Sequence, residues 1–214
     1  RMKVWRRLLA AGALAAMLFT LPGCGSGDVP TSSSGSSGAA SSAAVPEPEP
    51  VVVEPAYYHP LTGVGMDEDL SRLRPVAVMI NDLKAAQPQL GVSQADIIYE
   101  MPAEGGITRM VALFQSLDGV GNLGSIRSTR AYYLELALGH DALLVHAGGS
   151  PEAYKDIPAW GVDNMDGVNG GSDAKIFWRD AERRKTKGYE HSLLTSGEKI
   201  QEYLDQGHFR TEHK

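Results

Sequence analysis

Arginine, glycine and serine residues stand at the junctions between the predicted strands and helices of one stretch of the chain, residues 104–154. Arg127 and Arg130 flank the expected start of one helix, and Gly149 and Ser150 mark the expected start of the next. The first turn of a helix leaves backbone N–H groups free and carries partial positive charge, and guanidinium groups bind carboxylates and phosphates through paired hydrogen bonds. These residue types therefore predict the binding of an anion.

Strands and helices alternate through this stretch and would bring the helix starts to one edge of a sheet. Residues 107–113 have two largely apolar faces, which is typical of an interior strand. A strand over residues 123–127 leads into a helix that ends at Gly139, and a strand over residues 142–147 leads into a helix at Pro151. Two successive strand–turn–helix units predict parallel strands joined by right-handed crossovers, with ligands beyond their carboxyl ends.

The candidate ligand-binding residues at that edge are arginine, histidine, glycine and serine: Arg127, Arg130, His146, Gly148, Gly149 and Ser150. A second interpretation stays open, because arginines at helix starts also pair with carboxylates and a Gly-Gly pair also serves as a plain turn. Arg109, near the start of its strand, is expected to form a structural ion pair with Glu100 or Glu104, because a buried guanidinium without a partner is costly.

The sequence lacks the standard catalytic and metal-binding motifs, so neither a cofactor nor a metal is predicted. It has no HExxH zinc motif, no P-loop lysine and no dinucleotide-binding fingerprint. The segment GGSPE is similar to a nucleophile elbow, but Glu152 stands in place of the second glycine. His146 and His191 could act as acid–base groups, although a lone histidine is more often structural.

The N-terminal residues have the pattern of an exported, lipid-anchored protein. A basic start precedes an apolar run over residues 8–21, which is typical of a secretory signal and short for a transmembrane helix. Cys24, the single cysteine, follows Leu21-Pro22-Gly23, which resembles the lipobox of bacterial lipoproteins. We expect a signal peptide over residues 1–23 and a lipid on Cys24 that holds the protein on the extracytoplasmic face of the cell membrane. The alternative is an ordinary signal peptide with an incidental cysteine.

The rest of the chain divides into a tether and a domain. Residues 24–56, rich in Gly, Ser, Ala, Pro, Val and Glu, are expected to form a disordered, flexible linker. Residues 57–214 are expected to form an α/β domain with a mixed, largely parallel central sheet and helices on both faces, including a last helix capped by Thr195 and Glu198.

Charge argues against nucleic acid as a partner. The first 23 residues hold four of the 20 Lys and Arg and none of the 26 Asp and Glu. The remainder therefore has a formal charge of about −10, which disfavours bulk attraction to nucleic acid. Any binding of an anion must depend on local geometry.

Several sequence blocks resemble the YerB-like bacterial lipoproteins, a family whose domain has no assigned function. The blocks are HPLTG, RPVAVMIND, AAQPQLGVSQADIIYE, EGGITRMVALFQS, GSIRSTR and HAGGSPEAY. The resemblance covers residues 57–207 and adds Arg179 and His191 as candidate ligand-binding residues, because the family has an aromatic–Arg block followed by a histidine. It also implies a second, C-terminal domain, so we expect this chain to be a fragment or a truncated form.

We interpret the protein as a membrane-anchored lipoprotein with a binding or accessory role at the cell envelope, where it would recognise an anionic ligand. An alternative comes from the segment ALFQSLDG followed by GSIRSTR, which resembles a block of the LytR-CpsA-Psr enzymes. In that alternative Arg127 would bind a polyprenyl pyrophosphate and Thr129 would stand at the aspartate position. The protein would be a phosphotransferase that acts on a polyprenyl-pyrophosphate-linked envelope glycan.

Overall fold

A computed structural model describes residues 53–214. The predicted signal peptide, Cys24 and the tether up to residue 52 lie outside the described residues. No helix within the described range is long and apolar enough to cross a membrane.

The described part contains strands, α-helices and short 3-10 turns. In chain order they are β1 (Tyr57–Tyr58), β2 (Gly65–Met66), β3 (Val76–Asn81), β4 (Ile97–Pro102), β5 (Thr108–Phe114), β6 (Asn122–Gly124), α1 (Ala131–Gly139), β7 (Leu143–His146), α2 (Pro151–Trp160), β8 (Asn164–Asp166), β9 (Trp178–Arg179), α3 (Ala181–Lys187), β10 (Leu193–Ser196) and α4 (Gly197–Asp205). The 3-10 turns are Lys84–Ala86, Val92–Gln94, Glu104–Gly106, Ser172–Ile176 and Tyr189–His191.

The central sheet has five strands in the order β4-β5-β3-β7-β8. β3, β7 and β8 run parallel to one another, whereas β5 is antiparallel to both of its neighbours, β4 and β3. The prediction of a mixed α/β sheet is confirmed, but the expectation that it would be largely parallel is wrong. A short turn joins β4 to β5, in which Gly105 and Gly106 adopt φ angles of 71° and 76°. A turn this short can connect only antiparallel strands.

A second, antiparallel sheet accounts for the strand expected over residues 123–127. Its order is β6-β10-β9, and β6 ends at Gly124. Residues 125–127 then run beside the end of β3, where Asn81 N donates to Ser125 O at 2.9 Å and Arg127 N donates to Met79 O at 3.0 Å. The first strand–turn–helix unit is therefore not the parallel crossover that the sequence predicted.

The central sheet is covered on both faces. One face packs against α1 and α2, and its fully buried residues include Met79, Tyr133 and Leu134. The other face packs against the second sheet and α4, and its core includes Ile80, Leu123 and Ile200. Burying each large apolar side chain stabilises the fold by roughly 1.5–3 kcal/mol, so these two clusters hold the strand ends in fixed positions.

The predicted cap of α2 is present, and the cap of α4 is one residue later than predicted. Ser150 caps α2, where its Oγ accepts a hydrogen bond from Ala153 N at 3.1 Å. The cap of α4 is Ser196 rather than Thr195, because Thr195 is buried within β10 and its hydroxyl donates to a backbone oxygen.

Candidate anion-binding site

Arg109, Arg127 and Arg130 form an arginine cluster around residues 127–130, the segment that leads into α1. Arg109 is 5% exposed, and its Nη1 donates to the carbonyl oxygen of Ser128 at 2.8 Å. Burial lowers the pKa of Arg109, and the positive charges of Arg130 and Arg127 lower it further. The Nε atoms of Arg109 and Arg127 are buried and have no hydrogen-bond partner within residues 53–214. Two of the three guanidinium groups in the cluster therefore keep an N–H group without a hydrogen-bond partner among the described residues.

Glu104 neutralises one member of this cluster. Both Nε and Nη2 of Arg130 donate to its carboxylate, the second at 2.7 Å. Hydrogen bonding from Arg130 lowers the pKa of Glu104 to about 2, and the same bonds raise the pKa of Arg130.

The structure does not contain the expected ion pair between Arg109 and Glu100 or Glu104. Glu104 pairs with Arg130. Glu100 is exposed and lies opposite Met110 in the ladder, whereas Met101 lies opposite Arg109. Because side chains alternate between the faces of a sheet, Glu100 projects from the face opposite that of Arg109.

Arg127 also lines a cavity of about 220 Å³, which we name the arginine cleft. Its lining residues are Ile126, Arg127, Ser128, Ala147, Val168, Arg179, Tyr189, Glu190 and Leu193. The guanidinium of Arg179 lies 3.7 Å above the ring of Tyr189, and its Nη1 donates to the backbone oxygen of Tyr189 at 2.7 Å. Nη1 of Arg127 is 3.6 Å from a carboxylate oxygen of Glu190. Two of the predicted arginines thus share one cavity.

The turn at Gly149 and Ser150 lies beside Arg130 rather than in the arginine cleft. The carbonyl oxygen of Thr129 accepts hydrogen bonds from Arg130 Nη1 at 2.6 Å and from Ser150 N at 3.3 Å. Gly149 and Ser150 do not line the cleft, and the Ser150 hydroxyl is occupied as the cap of α2. Gly149 and Ser150 therefore lie next to the arginine cleft but outside it.

Of the two predicted histidines, His191 lies nearer to the arginines. Its Nδ1 is 2.9 Å from Asn81 Nδ2, and its pKa is lowered by burial and then by the positive charge of Arg127. His146 is fully buried, with Nδ1 2.8 Å from Gly148 O and Nε2 3.0 Å from Asn164 Oδ1. Both ring nitrogens of His146 are engaged within the protein, so it has a structural role.

Comparison with known proteins places this chain in a family. A family model described as "Protein of unknown function (DUF3048) N-terminal domain" matches residues 61–210. The chain belongs to this family. It is 42% identical over 120 residues to "Putative lipoprotein YerB" of Bacillus subtilis (strain 168), which is 56% of this chain and 35% of that protein. The crystal structure of the YerB protein from Bacillus subtilis matches with a TM-score of 0.64 and 34% identity over 74% of this chain and 52% of that chain. The predicted resemblance to YerB-like proteins is confirmed, and the chain spans between a third and about half of the length of these relatives.

Two buried residues near the site were not predicted from the sequence. Arg183 belongs to a segment that resembles a solvated basic loop, yet it is 8% exposed and donates to the backbone oxygens of Pro88 and His191 at 2.9 and 3.1 Å. Asp166 is 4% exposed and accepts hydrogen bonds from Gly148 N, Val168 N and the Tyr154 hydroxyl: the distances are 2.7, 2.9 and 2.7 Å. Asp166 therefore fixes the turn below the cleft. Within residues 53–214, no group of three or more His, Cys, Asp or Glu could hold a metal ion.

Proposed function

We propose that the protein is a lipoprotein, anchored to the extracytoplasmic face of a cell membrane through a lipid on Cys24, that binds an anionic ligand in the arginine cleft. The name of the Bacillus subtilis relative supports the assignment as a lipoprotein. The sequence around Cys24 supports the position of the lipid. A binding or accessory role at the cell envelope fits both the name of the relative and the sequence around Cys24.

One observation carries the binding proposal: Arg127 and Arg179 line the same cleft. A third guanidinium lies next to the cleft, because Arg109 Nη1 donates to the carbonyl oxygen of Ser128, a lining residue, at 2.8 Å. Glu190, the one carboxylate among the lining residues, is 70% exposed and is 3.6 Å from Arg127, so it is a weak counter-ion. An anion in the cleft would replace it with charge-assisted hydrogen bonds, each contributing about 1.5–3 kcal/mol.

Calorimetric titration of the full-length chain with inorganic phosphate at low ionic strength tests this proposal. We expect Arg127→Gln to weaken phosphate binding by roughly 10- to 150-fold, the equivalent of one charge-assisted contact. Arg72→Gln is the matched control, because Arg72 is 79% exposed, pairs with Glu212 and does not line the cleft. Absence of phosphate binding to the parent, or equal affinity in Arg127→Gln, would overturn the proposal.

The phosphotransferase alternative gains no support from this site, and we do not propose it. Thr129, at the position of the acid in the enzymes that the segment resembles, is fully buried. Its hydroxyl donates to the backbone oxygen of Arg130 at 3.4 Å.

A further inference from the structure

We propose that the arginine cleft selects an anion that carries an apolar group, such as a phosphate ester of an alkyl or aromatic alcohol, over a fully hydrophilic anion. This inference rests on the proposed function, because it specifies the ligand of the same site. The observations that support it are the composition of the cleft wall, the fixed position of Val168 and the position of Arg179 over the Tyr189 ring.

About half of the cleft wall is apolar: Ile126, Ala147, Val168, Tyr189 and Leu193 line it beside the two arginines. Val168 is 59% exposed and Tyr189 is 57% exposed. A single exposed apolar residue needs no explanation. Here, however, two of them border a cavity that also contains two guanidinium groups. A ligand with an anionic end and an apolar end would match both kinds of wall.

The cleft is also larger than a small inorganic anion requires. Its volume of about 220 Å³ corresponds to roughly seven water molecules at about 30 Å³ each. Inorganic phosphate has five heavy atoms and would leave part of the apolar wall in contact with water. An ester group would cover that wall and so remove apolar surface from solvent.

Val168 is held in place beside the polar part of the cleft. Its backbone N donates to the buried carboxylate of Asp166 at 2.9 Å, and Gly148 N donates to the same oxygen at 2.7 Å. Gly148 has a φ of 82°, and a Cβ there would lie 3.2 Å from Ser128 Oγ and 3.7 Å from a methyl group of Val168. The Val168 side chain and the Ser128 hydroxyl therefore flank the same glycine, which places an apolar contact next to a polar one.

Tyr189 and Arg179 provide a second such combination among the residues that line the cleft. Cζ of Arg179 lies over the ring, 3.7 Å from its centroid, and Nη1 donates to the backbone oxygen of Tyr189. A guanidinium has five N–H donors, so the other donors of Arg179 can serve an anion. An anion bound to those donors would carry its substituent close to the edge of the Tyr189 ring.

Calorimetric titration of the full-length chain with three probes at one pH tests the inference: inorganic phosphate, phenyl phosphate and hexyl phosphate. We expect at least one ester to bind about tenfold more tightly than inorganic phosphate, since burying part of a phenyl or hexyl group removes apolar surface from water. The tighter ester distinguishes an aromatic from an alkyl, lipid-like ligand.

A matched pair of variants places the effect at the proposed wall. Val168→Ser should lower the ratio of ester affinity to phosphate affinity by about threefold or more, because it removes apolar wall that only an ester would cover. Val64→Ser, which changes a valine that is 64% exposed and does not line the cleft, should leave the ratio unchanged.

The outcomes separate the two proposals. If phosphate binds and neither ester binds more tightly, the selectivity proposal fails and the anion site stands. If the ester preference survives Val168→Ser in full, the apolar wall is not its source and the selectivity proposal fails as well. If none of the three probes binds, the anion site itself fails and the selectivity proposal fails with it.

Discussion

Two guanidinium nitrogens of Arg130 donate hydrogen bonds to the carboxylate of Glu104, although the Glu104 side chain is 61% exposed and the Arg130 side chain only 15% exposed. Glu104 therefore reaches from solvent into the arginine cluster and supplies a negative charge where a ligand would supply its own. Arg109, buried beside the same segment, receives no such partner among the described residues. We therefore expect Glu104 to compete with an added anion for the arginine cluster.

Glu104→Gln should raise the affinity of the full-length chain for inorganic phosphate by about three- to tenfold. Removing one negative charge near a partly exposed cluster is worth on the order of 1 kcal/mol. The measurement is calorimetric titration at low ionic strength. Glu212→Gln is the control, because Glu212 is a similarly exposed acid, 67% exposed, that pairs with Arg72. Unchanged or weaker binding in Glu104→Gln would contradict the competitor role.

The same ion pair makes a small, pH-dependent contribution to stability. The pKa of Glu104 is lowered from 4.5 to about 2 by hydrogen bonding from Arg130. A lowered carboxyl pKa stabilises the fold above the unfolded-state value, so the contribution is full above about pH 4.5 and is lost as the pH falls towards 2. Because the carboxylate is largely exposed, we expect less than about 1 kcal/mol. Urea unfolding of the parent and Glu104→Gln should differ at pH 7 and converge near pH 2, and a difference that grows at low pH would contradict the prediction.

Local patterns in the sequence predicted most elements of the central sheet. The strand expected over residues 107–113 is Thr108–Phe114, and the strand expected over 142–147 is Leu143–His146. Periodicity and capping depend on neighbours in sequence and are therefore visible in it. The partner of β6 and the antiparallel pairing of β5 with β3 depend on contacts between distant segments. A short apolar run carries no information about them.

The sequence indicated that some candidate residues would lie near one another, but it did not indicate how their side chains pair. Arg127 and Arg179 do share a cleft, although Arg179 became a candidate only through the family resemblance. Glu104 was expected near Arg109, but the turn after β4 directs it to Arg130. His146 was expected at the sheet edge, and it is there, but buried with both ring nitrogens engaged. Side-chain direction at the end of a strand decides these pairings, and sequence spacing does not define it.

Cys24→Ala should release the protein from the membrane. If a lipid on Cys24 is the anchor, the variant should appear in the soluble or secreted fraction or accumulate as a precursor. Metabolic labelling with a palmitate analogue, followed by fractionation, measures both the lipid and the location. Cys24→Ser should behave in the same way as Cys24→Ala. Labelling and membrane partition equal to those of the parent would show that the anchor lies elsewhere.

Asp166→Asn should destabilise the domain by about 2–4 kcal/mol. Burial raises the pKa of Asp166, but hydrogen bonds from Gly148 N, the Tyr154 hydroxyl and Val168 N outweigh it and hold the pKa below its usual value. An amide loses the charge and can turn an N–H group towards these donors, which leaves buried polar groups unpaired. Urea unfolding at pH 7 measures the loss, with Asp67→Asn as an exposed control. A loss no larger than that of the control would mean that Asp166 does not organise the turn.

Arg109→Met separates a structural arginine from a ligand-binding one. A guanidinium in a buried ion pair would leave its partner uncompensated, and its loss would cost about 3–5 kcal/mol. Among residues 53–214, the Arg109 side chain has one hydrogen bond, to Ser128 O, and the charges of Arg130 and Arg127 repel it while that of Glu104 attracts it. Replacing such a charge with an apolar side chain of similar length is often neutral or stabilising. We therefore expect the free energy of unfolding to stay within about 1.5 kcal/mol of the parent or to rise, while phosphate affinity falls severalfold. Urea unfolding and phosphate titration of the same preparation measure both quantities. A loss of about 3 kcal/mol or more with unchanged phosphate affinity would make Arg109 a structural residue after all.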